Sequence, residues 1–449
     1  MTNTLAFRTR KQSTGPAKIR DLTRIGDRPP PSAALAPIIA HSHLRWDFVW
    51  QRPQQIFSRL ALTRPVLFVE EPCQGDGSPR VDISEPMQNV LRVVPYLQDC
   101  RSLSIDQQCE QVLPLLLHGL SHHPTLAGRF DHPIQWFYSP MTAPAFLGQF
   151  GHRGVVYDCM DELANFRFAP PDIAQREQFL LERADIVFTG GYQLYEAKSR
   201  FHANTHFYGC GVDAQHFGRA REPSTLVPLE LAALPRPVFG YFGVIDERLD
   251  YLLLANLAAA YPSASIAMVG PLAKVEKQTL PNAANIHWLG QRAYEDLPAL
   301  VKGFDVCLMP FALNDATRYI NPTKTLEYLA AAKPVLSTAI PDVMHHFSDV
   351  VCIAGSHEDF IREARALASD PDPTLIGRGV ERARQASWSS IVARISDHLA
   401  TIGDAAKDLS TPASKSSLQL TITVDIARSA ETAHSHLPVQ ASSDRIARA

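Results

Sequence analysis

The fold of this chain is decided by the stretch Tyr319-Ile-Asn-Pro-Thr-Lys-Thr-Leu-Glu-Tyr-Leu-Ala-Ala-Ala-Lys-Pro-Val-Leu-Ser-Thr338. Pro322 favours the first turn of a helix, and good helix formers follow it from Thr323 to Ala332. A Lys-Pro pair ends this helix, and the apolar run 335–338 predicts a buried strand. The stretch therefore predicts a loop, a helix over 323–332 and a strand in direct succession.

Lys324 and Glu327 are three residues apart, so they lie on one face of the predicted helix. The free N–H groups and partial positive charge of a helix N-terminus favour a phosphate, and a lysine there adds charge for a diphosphate. A glutamate one turn later is placed to accept hydrogen bonds from ribose hydroxyls. The alternative is an ordinary exposed Lys–Glu pair, worth about 0.3 kcal/mol.

The order Asn-Pro-Thr-Lys-x-x-Glu-Tyr-Leu-Ala-Ala-x-Lys-Pro-Val resembles the donor-binding helix of GT-B glycosyltransferases, especially the family 1 and family 4-like bacterial enzymes. The resemblance implies that Lys324 and Glu327 contact the diphosphate and ribose of a nucleotide-sugar. It also places Asn321 and Thr323 in the donor site.

The chain departs from the family pattern at two positions. Tyr319 lies near the place of the first glutamate of the family's Glu-x7-Glu motif, and Ala332 replaces the usual glycine before Lys-Pro. These departures keep a non-enzymatic alternative open, in which the chain is a decayed GT-B scaffold or a glycan-binding subunit. A nucleotide-sugar epimerase is a second alternative, but it needs several acid–base side chains that the donor motif does not supply.

The composition is that of a globular protein of 449 residues, with 45% hydrophobic and 20% charged residues. A formal net charge of −3 gives no case for nucleic-acid binding. We find no apolar stretch of about 18 residues, so we predict no membrane-spanning helix. The seven scattered cysteines and the polar N-terminus favour a cytoplasmic protein without a secretory signal.

Short apolar runs alternate with helical patterns in two successive series. This alternation is typical of parallel sheets covered on both faces, so we predict an α/β fold of two tandem Rossmann-like doubly wound domains with a ligand crevice between them. The predicted strands begin near residues 37, 66, 133, 154 and 186 in the first series, and near 238, 265, 286, 306 and 335 in the second. Further predicted helices cover 51–62, 106–118 and 174–184.

The domain boundaries follow from composition. We predict an N-terminal acceptor domain at 35–220 and a C-terminal nucleotide-sugar donor domain at 221–403. The polar tails 1–34 and 404–449 are predicted to be disordered. Because the first tail holds seven Lys or Arg against two Asp, the alternative for that tail is a weak anchor to the inner face of an anionic membrane or to a partner.

Further pieces of the second half match the family in order. Gly243 ends a predicted strand, and a glycine there lets the backbone approach a ligand closely. The resemblance implies that Arg248, just beyond it, neutralises the donor diphosphate, although an arginine exposed to solvent is the alternative. Gly290 lies at the turn before the expected nucleobase loop. We therefore place Gly243, Arg248 and Gly290 in the donor site.

The loop after the first predicted strand, His41 to Gln55, concentrates aromatic and hydrogen-bonding side chains. It resembles the Trp-x-x-x-x-Gln-Arg-Pro stretch of a bacterial subgroup that includes exopolysaccharide enzymes. We predict His43, Trp46, Gln51 and Arg52 as acceptor-binding residues; the alternative is that the aromatic residues only pack the loop. The His-x-His pair lacks further ligands at a telling spacing, so we predict no metal site.

Asp158 and Asp161 end the fourth predicted strand, where they would face the crevice. A carboxylate there could accept a proton from an attacking hydroxyl. It could equally cap the following helix. The same bacterial subgroup shows a Tyr-Asp-x-x-Asp-Glu pattern, so both residues are predicted on the acceptor side.

These expectations combine into one function. The chain is predicted to be a metal-independent, retaining glycosyltransferase of the hexosyltransferase type. It would move a sugar from a nucleoside diphosphate-sugar to a hydroxyl of a glycan or lipid-linked acceptor in bacterial polysaccharide biosynthesis. Asp158, Asp161, Arg248 and Lys324 are the predicted catalytic residues. The nucleotide-sugar is a co-substrate, and no separate cofactor is expected.

Overall fold

The computed structural model describes residues 35–149 and 151–403. The predicted tails at 1–34 and 404–449 lie outside the described residues, and so does the predicted membrane contact of the first tail. Both sheets of the protein belong to one compact unit that begins at Ala36. Within the described ranges, every helix falls short of the length and apolar character needed to span a membrane.

The first sheet is a nine-stranded, mostly parallel sheet. Its strands are β1 (Ile38–Ser42), β2 (Val66–Glu70), β3 (Cys73–Gln74), β4 (Arg80–Met87), β5 (Val90–Leu97), β6 (Ile134–Phe137), β7 (Gly154–Cys159), β8 (Ile186–Thr189) and β9 (Thr205–Phe207). They follow the order β3-β5-β2-β1-β6-β7-β8-β9, and β4 pairs antiparallel with β5. The chain direction across the sheet reverses between β1 and β6, and a ligand crevice is expected at such a switch point.

The second sheet has six parallel strands. They are β10 (Val238–Phe242), β11 (Ser265–Val269), β12 (Ile286–Gly290), β13 (Val306–Met309), β14 (Val335–Thr338) and β15 (Cys352–Ala354). Their order is β12-β11-β10-β13-β14-β15, which is the Rossmann order 3-2-1-4-5-6. The switch point of this sheet lies between β10 and β13.

Helices connect the strands and cover both faces of the sheets. In the first half they are α1 (Arg52–Leu60), α2 (Ile105–His122), α3 (Ala143–Phe146), α4 (Ile173–Leu181), α5 (Tyr192–Lys198) and α6 (Ala214–Gly218). In the second half they are α7 (Leu229–Ala232), α8 (Tyr251–Ala260), α9 (Leu297–Lys302), α10 (Lys324–Ala330), α11 (Pro341–Phe347), α12 (His357–Ser369), α13 (Pro373–Gln385) and α14 (Trp388–Thr401).

The central strands are buried on both faces, which explains their apolar sequences. All five residues of β1, β2, β10 and β11 are buried. Alternate residues along a strand point to opposite faces, so a continuous apolar run is required wherever helices cover both sides. This confirms the predicted α/β fold with two doubly wound parallel sheets.

The last helix returns to the first sheet. Trp388, Ile391 and Ile395 of α14 belong to the same buried cluster as Ile38 and Trp136. The chain thus crosses between the two halves a second time, near residue 387. The domain boundary at 220/221 stays a prediction.

The structure differs from the predicted elements at three places. Helix α10 ends at Ala330 and not at Ala332, because Ala332 adopts a left-handed conformation with φ 57°. Helix α2 continues through Pro114 to His122. The hairpin of β4 and β5 was missed, although Arg80–Met87 alternates between more and less exposed residues over its first half.

Candidate functional site

A deep cleft lies where the C-terminal ends of the two sheets face each other. It encloses about 1240 Å³, including the part open to solvent. Most of the predicted site residues line it, and they come from both halves of the chain: Gln51, Arg52, Asp161, Gly243, Arg248, Asn321, Thr323, Lys324 and Glu327. Asp158, Gly290, His43 and Trp46 do not line it.

Lys324 and Glu327 occupy the first turn of α10 and both line the cleft. Burial lowers the pKa of Lys324, an effect that the charge of Glu327 opposes in part. Burial also raises the pKa of Glu327 to about 7, again against the attraction of Lys324. Both shifts arise because partly buried charges lose hydration. A phosphate near Lys324 would offset that loss.

Gly243, at the end of β10, leaves room for the lysine. A Cβ at position 243 would lie 2.0 Å from Cε of Lys324 and 2.8 Å from the hydroxyl oxygen of Tyr241. The backbone of Gly243 also has φ 146°, which side-chain-bearing residues rarely adopt. Gly270, at the end of β11, has φ 149°, and its Cβ would meet the carbonyl oxygen of Gly243 at 1.8 Å. Close packing between the C-terminal ends of β10 and β11 thus requires both glycines.

Arg248 enters the cleft as half of an ion pair. Its Nε lies 3.0 Å from both carboxylate oxygens of Asp246, and a terminal nitrogen lies 2.6 Å from Oδ2. Burial acts against the charge of Arg248, but the attraction and hydrogen bonds of Asp246 outweigh it, so the pKa of Arg248 is raised. Asp246 therefore holds the guanidinium in a fixed orientation beside Lys324.

Asn321 and Gly190 join the donor segment to the first half of the chain. The side-chain amide of Asn321 donates to the carbonyl oxygen of Gly190 at 3.2 Å. Cys210 contacts the carbonyl oxygen of Asn321 through its sulfur at 3.1 Å. The segment that precedes α10 is therefore anchored to the turn after β8. Gly290, which ends β12 with φ 72°, lies outside the cleft lining, whereas Gln291, Arg292 and Tyr294 beyond it belong to the lining.

Asp158 lies below the cleft wall, paired with Arg52. The carboxylate of Asp158 is 0% exposed and accepts from Nε of Arg52 at 3.0 Å, with a terminal nitrogen at 2.9 Å. The other terminal nitrogen of Arg52 donates to the carbonyl oxygen of Tyr208 at 2.6 Å. Arg52 thus ties the start of α1 to β7 and to the residue that directly follows β9. The structure does not bring Asp158 into the cleft, so the proton acceptor predicted there has no access to a substrate hydroxyl.

Asp161, three residues further on, does line the cleft and is partly buried. Burial raises its pKa, while the nearby charge of Arg248 lowers it and that of Asp246 raises it. Among the lining residues from the first half of the chain, Asp161 is the one with a carboxylate. Arg248 and Lys324, from the second half, line the same cleft. This position suits a contact with a hydroxyl group.

The predicted acceptor loop is divided between two places. Gln51 is the N-cap residue of α1, and its backbone N–H donates to the side-chain oxygen of Gln54 at 3.1 Å. Trp46 is 5% exposed and packs edge-on against Phe68 at 5.1 Å, so it stabilises the loop and stays out of the cleft. His43 lines a second, smaller cavity together with His41, Glu71 and Gln108. Burial, with the charge of Lys274, lowers the pKa of His43 to about 4, so its ring is neutral at pH 7.

Sequence reasoning missed the aromatic residues that line the cleft, among them Trp50 and Tyr294. Trp50 is 37% exposed and lies 6.1 Å from Tyr294, ring centre to ring centre, across the two halves. Tyr294 in turn stacks on His216 at 4.3 Å. The concentration of aromatic residues in this loop pointed to Trp50 as well as to Trp46. The sequence did not show that Trp50 lines the cleft while Trp46 is buried.

Within residues 35–149 and 151–403, no three His, Cys, Asp or Glu side chains are grouped so that they could hold a metal ion.

Comparisons with known proteins agree with this geometry. The family model "Glycosyl transferases group 1" matches residues 236–370, which contain the second sheet and α10. The "Putative teichuronic acid biosynthesis glycosyltransferase TuaH" of Bacillus subtilis (strain 168) is 26% identical over 281 residues, covering 58% of this chain and 70% of that protein.

Solved structures show the same fold. A sucrose-phosphate synthase from Thermosynechococcus elongatus has a TM-score of 0.63 at 16% identity, covering 82% of this chain and all of that one (100%). An E. coli structure, "Trehalose-6-phosphate from E. coli bound with UDP-2-fluoro glucose", has a TM-score of 0.59 at 13% identity, with coverage of 81% and 99%. At these identities the likeness concerns the fold alone.

Proposed function

We propose that this chain is a group 1 glycosyltransferase with the GT-B fold, and that its cleft transfers a sugar from a nucleoside diphosphate-sugar to a hydroxyl of a glycan or lipid-linked acceptor. The observation that carries this proposal is the position of Lys324 and Glu327. Both side chains line the cleft at the switch point of the second sheet, where a nucleotide is expected in a doubly wound fold.

The donor diphosphate would lie against Lys324 and Arg248. As the bond between the anomeric carbon and the phosphate oxygen breaks, its electron pair moves to the diphosphate. Positive groups aimed at that developing charge stabilise the transition state, with one such group worth roughly 3 kcal/mol. Because Asp246 fixes the guanidinium of Arg248, little reorganisation is needed during the reaction. Glu327 would accept hydrogen bonds from the ribose hydroxyls.

Two fixed cations can serve the leaving group without a metal ion, so we infer metal-independent transfer with no separate cofactor. Retention of the anomeric configuration rests on the resemblance of the donor helix to the family 4-like enzymes. The transfer assay described below tests metal independence with EDTA and retention with NMR of the product.

On the acceptor side, Asp161 would accept a hydrogen bond from the attacking hydroxyl. Retention requires the oxygen to bond to the anomeric carbon on the face from which the diphosphate leaves, and Asp161 would take the hydroxyl proton during that front-face attack. Its raised pKa suits a group that gains a proton during the reaction. Contacts between the two halves, such as the hydrogen bond from Asn321 to Gly190, would help to limit access of water to the donor.

The biological setting that we propose is bacterial polysaccharide synthesis at the cytoplasmic side of the membrane. The support is the similarity to a protein that is described as a putative teichuronic acid biosynthesis glycosyltransferase. A lipid-linked acceptor would bring the enzyme to the membrane surface. The basic segment 1–34 would add attraction to anionic lipids there.

The experiment is a transfer assay with purified protein, a panel of UDP-, GDP-, ADP- and TDP-sugars, and either short oligosaccharides or extracted bacterial lipids as acceptors. The assay measures nucleoside diphosphate release and product mass, with and without EDTA, and NMR gives the anomeric configuration. We expect one donor to be consumed, EDTA to have no effect and Lys324→Ala to abolish turnover. The exposed Lys277→Ala is the matched control. Consumption of no donor under any condition would refute the function.

A further inference from the structure

A buried charged cluster lies directly behind the cleft wall. Lys198, the last residue of α5, places its Nζ 2.7 Å from Glu162 and 2.8 Å from Glu177. The hydroxyl of Tyr157 donates to Glu177 at 2.7 Å. One lysine thus joins two carboxylates that are 15 residues apart in the chain, at numbers 162 and 177. None of these groups has a part in the mechanism described above.

Burial of these charged groups costs free energy unless each charge is paired in a good geometry. Lys198 is 5% exposed. Burial acts against its charge, but the negative groups around it more than compensate, and the pKa of Lys198 is raised. Removing one partner from such a buried arrangement leaves an uncompensated charge. Lys198 therefore fixes the position of both carboxylates.

Glu162 directly follows Asp161, the carboxylate that lines the cleft. Three residues further on, the side chain of Asn165 donates to the carbonyl oxygen of Asp315 at 3.1 Å. The segment 161–165 is thus held at one end by Lys198 and at the other by the second half of the chain. A loop carrying a reacting group needs such support, since a misplacement of about 1 Å can cost roughly 100-fold in rate.

Helix α5 is itself fixed to the donor half. The backbone N–H groups of Tyr192 and Gln193, at its start, donate to the carboxylate of Asp342 at 2.6 and 3.1 Å. Asp342 lies in α11, which follows the fifth strand of the second sheet. The same seven-residue helix therefore contacts the donor half through its first turn and Glu162 through its last residue.

We propose that Lys198 is a positioning residue for sugar transfer, which acts through Glu162 to hold the Asp161 carboxylate at the acceptor side of the cleft. This inference rests on the proposed function and deepens it. It implies that loss of Lys198 slows transfer without weakening the binding of the donor, because Lys198 does not line the cleft.

The test is a double-mutant cycle on kcat, with Lys198→Met and Asp161→Asn as the single variants. If Lys198 acts through Asp161, Lys198→Met lowers kcat by roughly 10–100-fold alone and has almost no further effect in the Asp161→Asn background. The donor KM should stay within about twofold, because contacts made equally in ground and transition states are kept. Lys198→Arg should recover part of the loss.

The matched control is Glu177→Gln, which changes the other partner of Lys198 and leaves the bond to Glu162. It should keep most of the wild-type kcat. If Lys198→Met does not fold, as judged by thermal unfolding, Glu162→Gln replaces it in the cycle with the same expectation. A full additional loss in the Asp161→Asn background, or an equal loss in Glu177→Gln, overturns the inference while wild-type transfer stands. A wild-type protein without transfer would overturn the proposed function and the inference with it.

Discussion

The side chain of Lys324 fills the space that a side chain at Gly243 would need: a Cβ on the glycine would lie 2.0 Å from Cε of the lysine. The lysine can reach the cleft only because position 243 has no side chain. Gly243→Ala should therefore displace Lys324 and weaken nucleoside diphosphate binding by roughly tenfold or more, since a charge-assisted hydrogen bond contributes about 1.5–3 kcal/mol. Titration calorimetry measures this change. Gly128→Ala, at another glycine with positive φ and open space around it, is the control for backbone strain.

Lys324→Ala tests the lysine directly. It should weaken nucleoside diphosphate binding by about 1.5–3 kcal/mol, because a charged contact to phosphate is lost while the fold keeps its core. The affinity is measured by the same titration. Lys277→Ala should bind like the wild type. Equal affinities for Lys324→Ala and the wild type would remove Lys324 from the donor site.

The raised pKa of Glu327 predicts a pH-dependent stability. Its folded-state pKa of about 7 exceeds the ordinary glutamate pKa of 4.5, so between these pH values the folded protein holds a proton that the unfolded chain has lost. The stabilisation that protonated Glu327 gives the folded state is therefore fully present below pH 4.5, and it is lost as the pH rises from there through about 7. The total is on the order of 3 kcal/mol at most. Urea unfolding of the wild type and Glu327→Gln from pH 5 to about 8 should show their stability difference shifting towards the variant as pH rises. A constant difference would contradict the assigned environment.

The two aspartates at the end of β7 should behave oppositely. Asp158→Asn leaves the buried Arg52 without its charge partner, so it should lower the free energy of unfolding by about 3–5 kcal/mol. Asp161→Asn should change stability by only about 0.5 kcal/mol yet abolish most transfer. Urea unfolding and the transfer assay on both variants separate the two roles. A stable, inactive Asp158→Asn would return Asp158 to the reaction itself.

Ala332 carries strain that a glycine would relieve. Its φ of 57° lies in the left-handed region, directly after the end of α10, where glycine is favoured. Ala332→Gly should raise the free energy of unfolding by about 0.5–1 kcal/mol, with unchanged nucleotide affinity. Thermal and urea unfolding measure the gain. A destabilised variant would show that the Cβ of Ala332 makes compensating contacts.

Much of the architecture follows from local sequence. Buried parallel strands such as Val66–Glu70 and Val306–Met309 need continuous apolar runs, which makes them visible without a structure. The hairpin Arg80–Met87 with Val90–Leu97 was missed because an edge strand with one exposed face carries a mixed, polar sequence.

The site was predictable only in part, for a related reason. Lys324, Glu327 and Arg248 lie close to motif glycines and prolines, so their place near strand ends could be inferred. Whether an individual side chain at such an end points into the cleft depends on tertiary partners. Asp158 is the second-last residue of β7 and Asp161 lies two residues beyond it, and the sequence does not show that Arg52 pairs with the first while the second lines the cleft.

The most direct test of the central claim is a thermal-unfolding screen of the purified protein with UDP, GDP, ADP, TDP and CMP, in the presence and absence of EDTA. A ligand at 100 times its dissociation constant should add roughly 2.7 kcal/mol to the folded state. We predict that one nucleoside diphosphate raises the unfolding temperature, that EDTA leaves this shift unchanged, and that Lys324→Ala reduces it to about half or less. No shift with any nucleotide would contradict the assignment of this cleft as a nucleotide-sugar site.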